Sequence, residues 1–262
     1  GDLLMQTNHN HSDQMESVKY YKLAADKDDT YGMLRYADEL FNGILIPANK
    51  KEAIKYYKKS ADMGNTLAMI KYGDLLMIGD NVQMNKKEAV KYYKRAFDLG
   101  FDLGMIKYGD CLMAGVEVQE DQKEAVRLYK IAVDKGNTEG MIRYGDCLMN
   151  GKGIKIDKKE AVKYYKLAAD HGNSFGMIKY ADELAKGITI PKDLQKSINY
   201  YKMSADYGNI EGMISYGLLL IKGNRYMHTF DKKEGYRYIK KAAFLNNLYA
   251  QVLYFLYYNS CH

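Results

Sequence analysis

The chain has no tryptophan, two prolines and three cysteines among 262 residues. With so little proline, which removes a backbone donor and clashes inside a helix, long stretches are free to be helical. Cys111, Cys147 and Cys261 are too few for a disulfide framework, and they fit a reducing compartment, so a cytoplasmic location is expected. Nothing resembles a secretory signal. The most apolar run, Leu248–Tyr258, is too short to span a bilayer. Net charge is only +6, and lysine falls mainly on what read as solvated helix faces, as in Lys50, Lys51, Lys55, Lys58 and Lys59. No nucleic-acid-binding motif accompanies it, so no nucleic-acid partner is expected. Cys-x-x-Cys, His-Glu-x-x-His and phosphate-loop signatures are missing, and Gly151-Lys152-Gly153 lacks the rest of any nucleotide fingerprint. His9 and His11 flank Asn10 without a third ligand in view, and His171, His228 and His262 stand singly. No catalytic residue, cofactor or metal is therefore expected.

What is present is a repeat. Ala53, Ala89, Ala125 and Ala161 recur every 36 residues, with Ser17 and Ser197 in the same phase. The next step, to Gly235, is 38, which places two extra residues near Arg225–Phe230. A fixed period of this size marks an array. In each unit a first helix carries a stripe such as Gly104, Tyr108 and Leu112 at i, i+4, i+8. It ends at a glycine: Gly43, Gly79, Gly115, Gly151, Gly187 or Gly223. A second helix opens on acceptor-x-x-Glu: Asp13/Glu16, Asn49/Glu52, Asn85/Glu88, Asp121/Glu124, Asp157/Glu160 and Asp231/Glu234, a spacing that predicts a reciprocal capping box. Asp193 is followed by Lys196 instead. Second helices end at Gly64, Gly100, Gly136, Gly172 and Gly208, with Asp28 and Asn246 in the outer units. Glycines inside first helices, such as Gly104 and Gly109, each cost about 1 kcal/mol against alanine. A repeated cost of that size predicts close approach of a neighbouring helix.

The pattern small-x-x-x-Tyr-Gly-x-x-Leu-x-x-Gly, then Asp-x-x-Glu-Ala-x-x-Tyr-Tyr-x-x-Ala-Ala-x-x-Gly, resembles the Sel1-like repeat, a relative of the tetratricopeptide repeat. The resemblance covers essentially the whole chain. One departure is consistent: tyrosine, as in Tyr56 and Tyr92, stands where that family often has tryptophan. The resemblance implies an all-α fold, a right-handed superhelical solenoid of antiparallel helix pairs. It also implies a non-catalytic adaptor that holds a protein or peptide partner on its concave face. One array is expected over 1–262: a partial repeat at 1–28, six full repeats at about 29–246 and a terminal helix at about 247–258. Because Gly1 falls in mid-helix phase and is no polar cap, a longer parent is expected. The apolar last helix calls for cover, by a following unit or by a second copy. Other roles stand beside the adaptor: a component of a cytoskeletal or ciliary lattice, or the targeting part of a larger enzyme such as a kinase.

The expected partner surface is a set of phases on the first helices. Asp2, Asp38, Asp74, Asp110, Asp146 and Asp182 form an acid row, broken at Leu218. Arg35, Lys71, Lys107, Arg143 and Lys179 lie three residues earlier, broken at Ser215. By resemblance, the floor between the aspartates is Leu34, Ile70, Ile106, Ile142, Ile178 and Ile214, continued by Phe41, Met77, Met113 and Met149. Two readings stand side by side. In one, the row is a set of local i, i+3 salt bridges. In the other, it meets an extended partner with a basic side chain every three to six positions. The methionines Met33, Met69, Met105, Met141, Met177 and Met213 are read as packing.

Overall fold

A computed structural model describes residues 11–222, 231–245 and 247–258. Several sequence readings fall outside these residues: the segment Gly1–Met5 with Asp2, His9, Gly223, the loop Arg225–Phe230 with His228, Asn246, Cys261 and His262. Among the described residues there are fourteen α-helices and no strand. α1 spans His11–Asp26. Six pairs follow: α2 (Thr30–Asn42) with α3 (Lys50–Asp62), α4 (Thr66–Ile78) with α5 (Lys86–Asp98), and α6 (Asp102–Ala114) with α7 (Gln122–Asp134). Then come α8 (Thr138–Asn150) with α9 (Lys158–Asp170), α10 (Ser174–Lys186) with α11 (Leu194–Asp206), and α12 (Ile210–Lys222) with α13 (Lys232–Phe244). α14 (Leu248–Tyr258) closes the order. The chain divides into two compact units, 1–128 and 129–262, the division falling inside α7. Within each unit, helices adjacent in sequence pack together.

The helix boundaries follow from side-chain caps. Asn49, Asn85, Asp121, Asp157, Asp193 and Asp231 accept the N–H three residues on, at 2.9–3.2 Å. The other half of the expected box is different. The cap residue's own N–H goes to the carbonyl of the leucine nine residues back, as from Asn49 to Leu40 (2.8 Å), Asn85 to Leu76 (2.9 Å) and Asp193 to Leu184 (3.0 Å). That bond ties the second helix to the first, and at Asn49 and Asn85 the glutamate accepts from the cap side-chain amide instead, at 2.7 and 3.0 Å. α1 begins at His11, so Asp13 lies in its first turn rather than at its cap. First helices carry caps of their own, missed in the sequence: Asp29, Asn65, Asn137, Asn173 and Asn209 each accept the N–H of the residue three positions on.

Small residues mark close approach, as expected. A Cβ on Gly104 would lie 2.7 Å from both Ala96 Cβ and the Phe97 backbone nitrogen of the preceding helix. One on Gly73 would lie 2.6 Å from the Tyr93 ring. The first-helix tyrosines pack edge-on against the first tyrosine of the following pair: Tyr36 on Tyr56, Tyr72 on Tyr92, Tyr144 on Tyr164 and Tyr180 on Tyr200, with ring centroids 5.0–5.3 Å apart. Met33, Met69, Met105, Met141, Met177 and Met213 are buried core.

Candidate functional site

The isoleucine phase is not the exposed floor expected of it. Leu34, Ile70, Ile106, Ile142, Ile178 and Ile214 are 1–9% exposed. Ile142 shows why: it lies in one cluster with Val133 of α7 and Ala168 of α9, wedged between consecutive second helices. Met77, Met113 and Met149, with Phe41, are half-buried and present only part of their surface. The open face of a first helix is a narrower stripe at i, i+4, i+7, i+11. On α4 it reads Leu67, Lys71, Asp74, Ile78, and on α10 Phe175, Lys179, Asp182, Lys186. Tyr31, Leu67 and Phe175 head the stripe on α2, α4 and α10 and are 38–53% exposed. Their phase was not part of the expected partner surface, although they sit four residues before the cation row and so share its face.

Asp38, Asp74, Asp110, Asp146 and Asp182 do lie on this stripe, Asp38 buried and the others half-buried. Their bonding is not mainly local. Asp38 accepts Tyr57 Oη (2.7 Å) from the second helix of its own pair and Lys71 Nζ (2.6 Å) from the next first helix. Asp74 does the same with Tyr93 (2.7 Å) and Lys107 (2.8 Å), and Asp146 with Tyr165 (2.6 Å) and Lys179 (2.9 Å). Of the expected i, i+3 pairs in this row, Arg35–Asp38 is present at 3.4 Å, while Lys71, Lys107 and Lys179 reach back to the previous repeat. The lysine stem also crosses the tyrosine face: Lys71 over Tyr57, Lys107 over Tyr93 and Lys179 over Tyr165, with Nζ 5.7–5.9 Å from the ring centre. Burial, and then the bond to aspartate, hold the Tyr57, Tyr93, Tyr165 and Tyr201 phenols well above their ordinary pKa.

The ladder leaves acceptors over. Both donors to Asp74 and both to Asp146 use Oδ1. Oδ2 of each takes no hydrogen bond among the described residues, and these side chains are 44% and 31% exposed. Asp182 accepts Tyr201 through Oδ1 and has Ser215, not lysine, facing it from the next repeat. The ladder then ends by coordinated replacement. Leu218 stands for aspartate, Ile239 for tyrosine and Leu253 for lysine, and Leu218 and Leu253 pack into the same apolar cluster as the fully buried Ile239.

No group of three His, Cys, Asp or Glu side chains among the described residues is arranged to hold a metal. Cys111 and Cys147 are buried and form no disulfide, and burial pushes the Cys111 thiol up to about 11. No described helix is long and apolar enough to cross a membrane.

A family profile described as "Sel1 repeat" matches residues 12–29, 30–65, 66–101, 102–137, 138–173 and 174–209. Among solved structures, a Sel1 repeat protein from Oxalobacter formigenes is similar at 24% identity and TM-score 0.72, over 88% of this chain and 94% of that one. An immunity protein from Pseudomonas aeruginosa is similar at 18% identity and TM-score 0.62, over 82% and 81%. A protective antigen of uropathogenic Escherichia coli is similar at 22% identity and TM-score 0.59, over 94% of this chain and 52% of that one. At these identities the likeness is one of fold. A search of curated proteins finds no match.

Proposed function

Because the chain belongs to the Sel1 repeat family, whose repeats generally serve as non-catalytic interaction scaffolds, we propose that it is an adaptor. In this reading it works in the cytoplasm and holds a protein partner along the open stripe of its first helices, which the family's architecture assigns to the concave face. The observation that carries it is the free Oδ2 on Asp74 and Asp146, on a stripe that also carries the exposed Leu67 and Phe175 on α4 and α10. The carboxylate row has two jobs: Oδ1 joins neighbouring repeats, and Oδ2 is left for a partner's N–H or ammonium group. The apolar residues at the head of the stripe supply contact area. Interfaces of this composition take affinity from a few apolar anchors and register from the charges.

The test is Asp74→Asn, Asp146→Asn and Asp182→Asn together, with partners identified by affinity capture and mass spectrometry from the native cell. Asparagine keeps the shape and still accepts from tyrosine, so the fold should survive with a small fall in Tm. Capture of specific partners should drop, more at low salt than at high. Unchanged capture would leave the row as a ladder only.

Self-association through α14 is a second contact that we propose. Leu248, Tyr249, Val252, Phe255 and Leu256 are 56–78% exposed on a helix without one charged residue. Phe255 occupies the phase held by Ala37, Gly73, Gly145, Ala181 and Gly217 elsewhere. A second helix could not pack on it in the manner of the other pairs, so a second copy is the occupant that fits.

A further inference from the structure

Away from the first-helix stripe, α9, α10, the loop after α10 and the start of α11 enclose a cleft of about 880 Å³. Its floor is apolar: Val162 and Leu184 are buried beneath it, and Ile190, Pro191 and Leu194 wall one side. Its rim is cationic, with Lys159, Lys163, Lys166, Lys192 and Lys196 all lining it. The one carboxylate in the lining, Asp193, is engaged as the cap of α11 through its bond from the Lys196 N–H at 2.9 Å. Lys163 and Lys166 are paired to Glu160 and Asp170. Lys159, Lys192 and Lys196 make no ion pair among the described residues, and Lys196 lies 5.9 Å above the Tyr180 ring.

This imbalance is specific to one repeat. Two smaller grooves along the second helices, of about 460 and 370 Å³, keep their capping glutamates, Glu52 and Glu88, and the smaller also has Asp62. In the large cleft the residue at that phase is Lys196, and a lysine of the usual pattern (Lys50, Lys86, Lys158) is replaced by Leu194. The local change is a carboxylate exchanged for an ammonium and an ammonium for an apolar wall. Helix capping does not require the glutamate, since the cap N–H already goes to Leu184.

We propose that this cleft is a second docking site, for an acidic, extended peptide segment that carries a large apolar side chain. Apolar volume with a few charged groups at the mouth is the usual form of a ligand pocket. The charge pattern selects the extended chain. The ammoniums without an ion pair among the described residues come from both sides, Lys159 from α9, Lys192 from the loop after α10 and Lys196 from the start of α11. The lysine row of α9, with its paired Lys163 and Lys166, runs on over about 10 Å at 1.5 Å per residue. One carboxylate or phosphate cannot meet both ends of that row, whereas an extended chain covers it in about three residues. The apolar side chain enters the cleft, and acidic neighbours on either side meet the lysines.

The probe is a fluorescein-labelled octapeptide of glutamates with one central phenylalanine and one leucine, followed by fluorescence polarisation on the full chain at low salt. Saturable binding is expected, weakened at least tenfold by Lys196→Glu with Lys192→Glu. Lys196→Glu restores the residue of the other repeats, and an unchanged Tm of the double variant checks that loss of folding does not explain the result. Lys55→Glu, in the groove of about 460 Å³, should leave binding as it was. An all-glutamate peptide should bind at least fivefold more weakly. No saturable binding, equal binding of the all-glutamate peptide, or indifference to Lys196→Glu overturns the proposal. So does Lys196-dependent binding of phosphatidylglycerol vesicles without peptide binding. The triple aspartate-to-asparagine variant should bind the probe normally, which separates this site from the first-helix stripe.

Discussion

At the scale of residues, the Tyr–Asp–Lys triplet decides both stability and pH response. Tyr57→Phe or Tyr93→Phe removes one hydrogen bond to a carboxylate and keeps the ring. By urea unfolding a loss of about 1.5 kcal/mol is expected for Tyr93→Phe, because solvent reaches Asp74, and about 2–3 kcal/mol for Tyr57→Phe, whose acceptor Asp38 is buried. The pH sign follows from the raised phenols. Their contribution is complete below the ordinary tyrosine pKa of about 10 and is lost as pH rises from there toward the folded value. Burial, with the bond to Asp206, holds Tyr238 at about 12 and the ladder phenols higher. The unfolding midpoint should therefore be flat from pH 8 to 9.5 and fall steeply by pH 11.5, less steeply in the Tyr57→Phe, Tyr93→Phe double variant. A midpoint independent of alkaline pH would mean that the phenols are not buried.

At the scale of elements, close helix contacts set the tolerance for change. Gly104→Ala gains about 1 kcal/mol of helix propensity. Its Cβ meets backbone of α5 at 2.7 Å, and overpacking of that kind costs about 1–3 kcal/mol. A net loss is expected in thermal melts, and a more stable protein would show that α5 can move away. Much of this scale was legible in the sequence, because period, terminal glycines and small residues are local demands of a helix and its ends. The partners of the aspartates were not legible. A lysine three residues from an aspartate on one helix is also, in an array, close to the aspartate one repeat back, and only packing chooses between them. The joint loss of Asp and Lys on one helix, at Leu218 and Ser215, favoured the local pair, whereas the loss of Asp, Tyr and Lys together at Leu218, Ile239 and Leu253 was the signal for the inter-repeat triplet. The isoleucine phase misled for a related reason. Hydrophobic periodicity finds an apolar face but not how many neighbours cover it, and the first helices are enclosed on all but one stripe.

For the whole molecule, two surfaces remain to be matched with partners, apart from the lysine-rimmed cleft. α14 bears five exposed apolar side chains, an area of a few hundred Å² per copy and near the lower bound for a specific interface once doubled. Phe255→Asp should convert a concentration-dependent dimer to monomer in sedimentation velocity. A wild-type chain that stays monomeric at high micromolar concentration would remove the dimer.

The direct test of the adaptor reading is position-resolved. A photocrosslinking amino acid is placed in turn at Leu67, Ile78 and Phe175 on first helices, and at Lys55 and Lys91 on second helices, away from the lysine-rimmed cleft. After irradiation in the native cell, crosslinked proteins are identified by mass spectrometry. One or a few partners reproducibly joined at the first-helix positions, and not at the second-helix positions, are expected. Crosslinks confined to Lys55 and Lys91 would contradict a first-helix interface and place binding on the lysine-rich second helices.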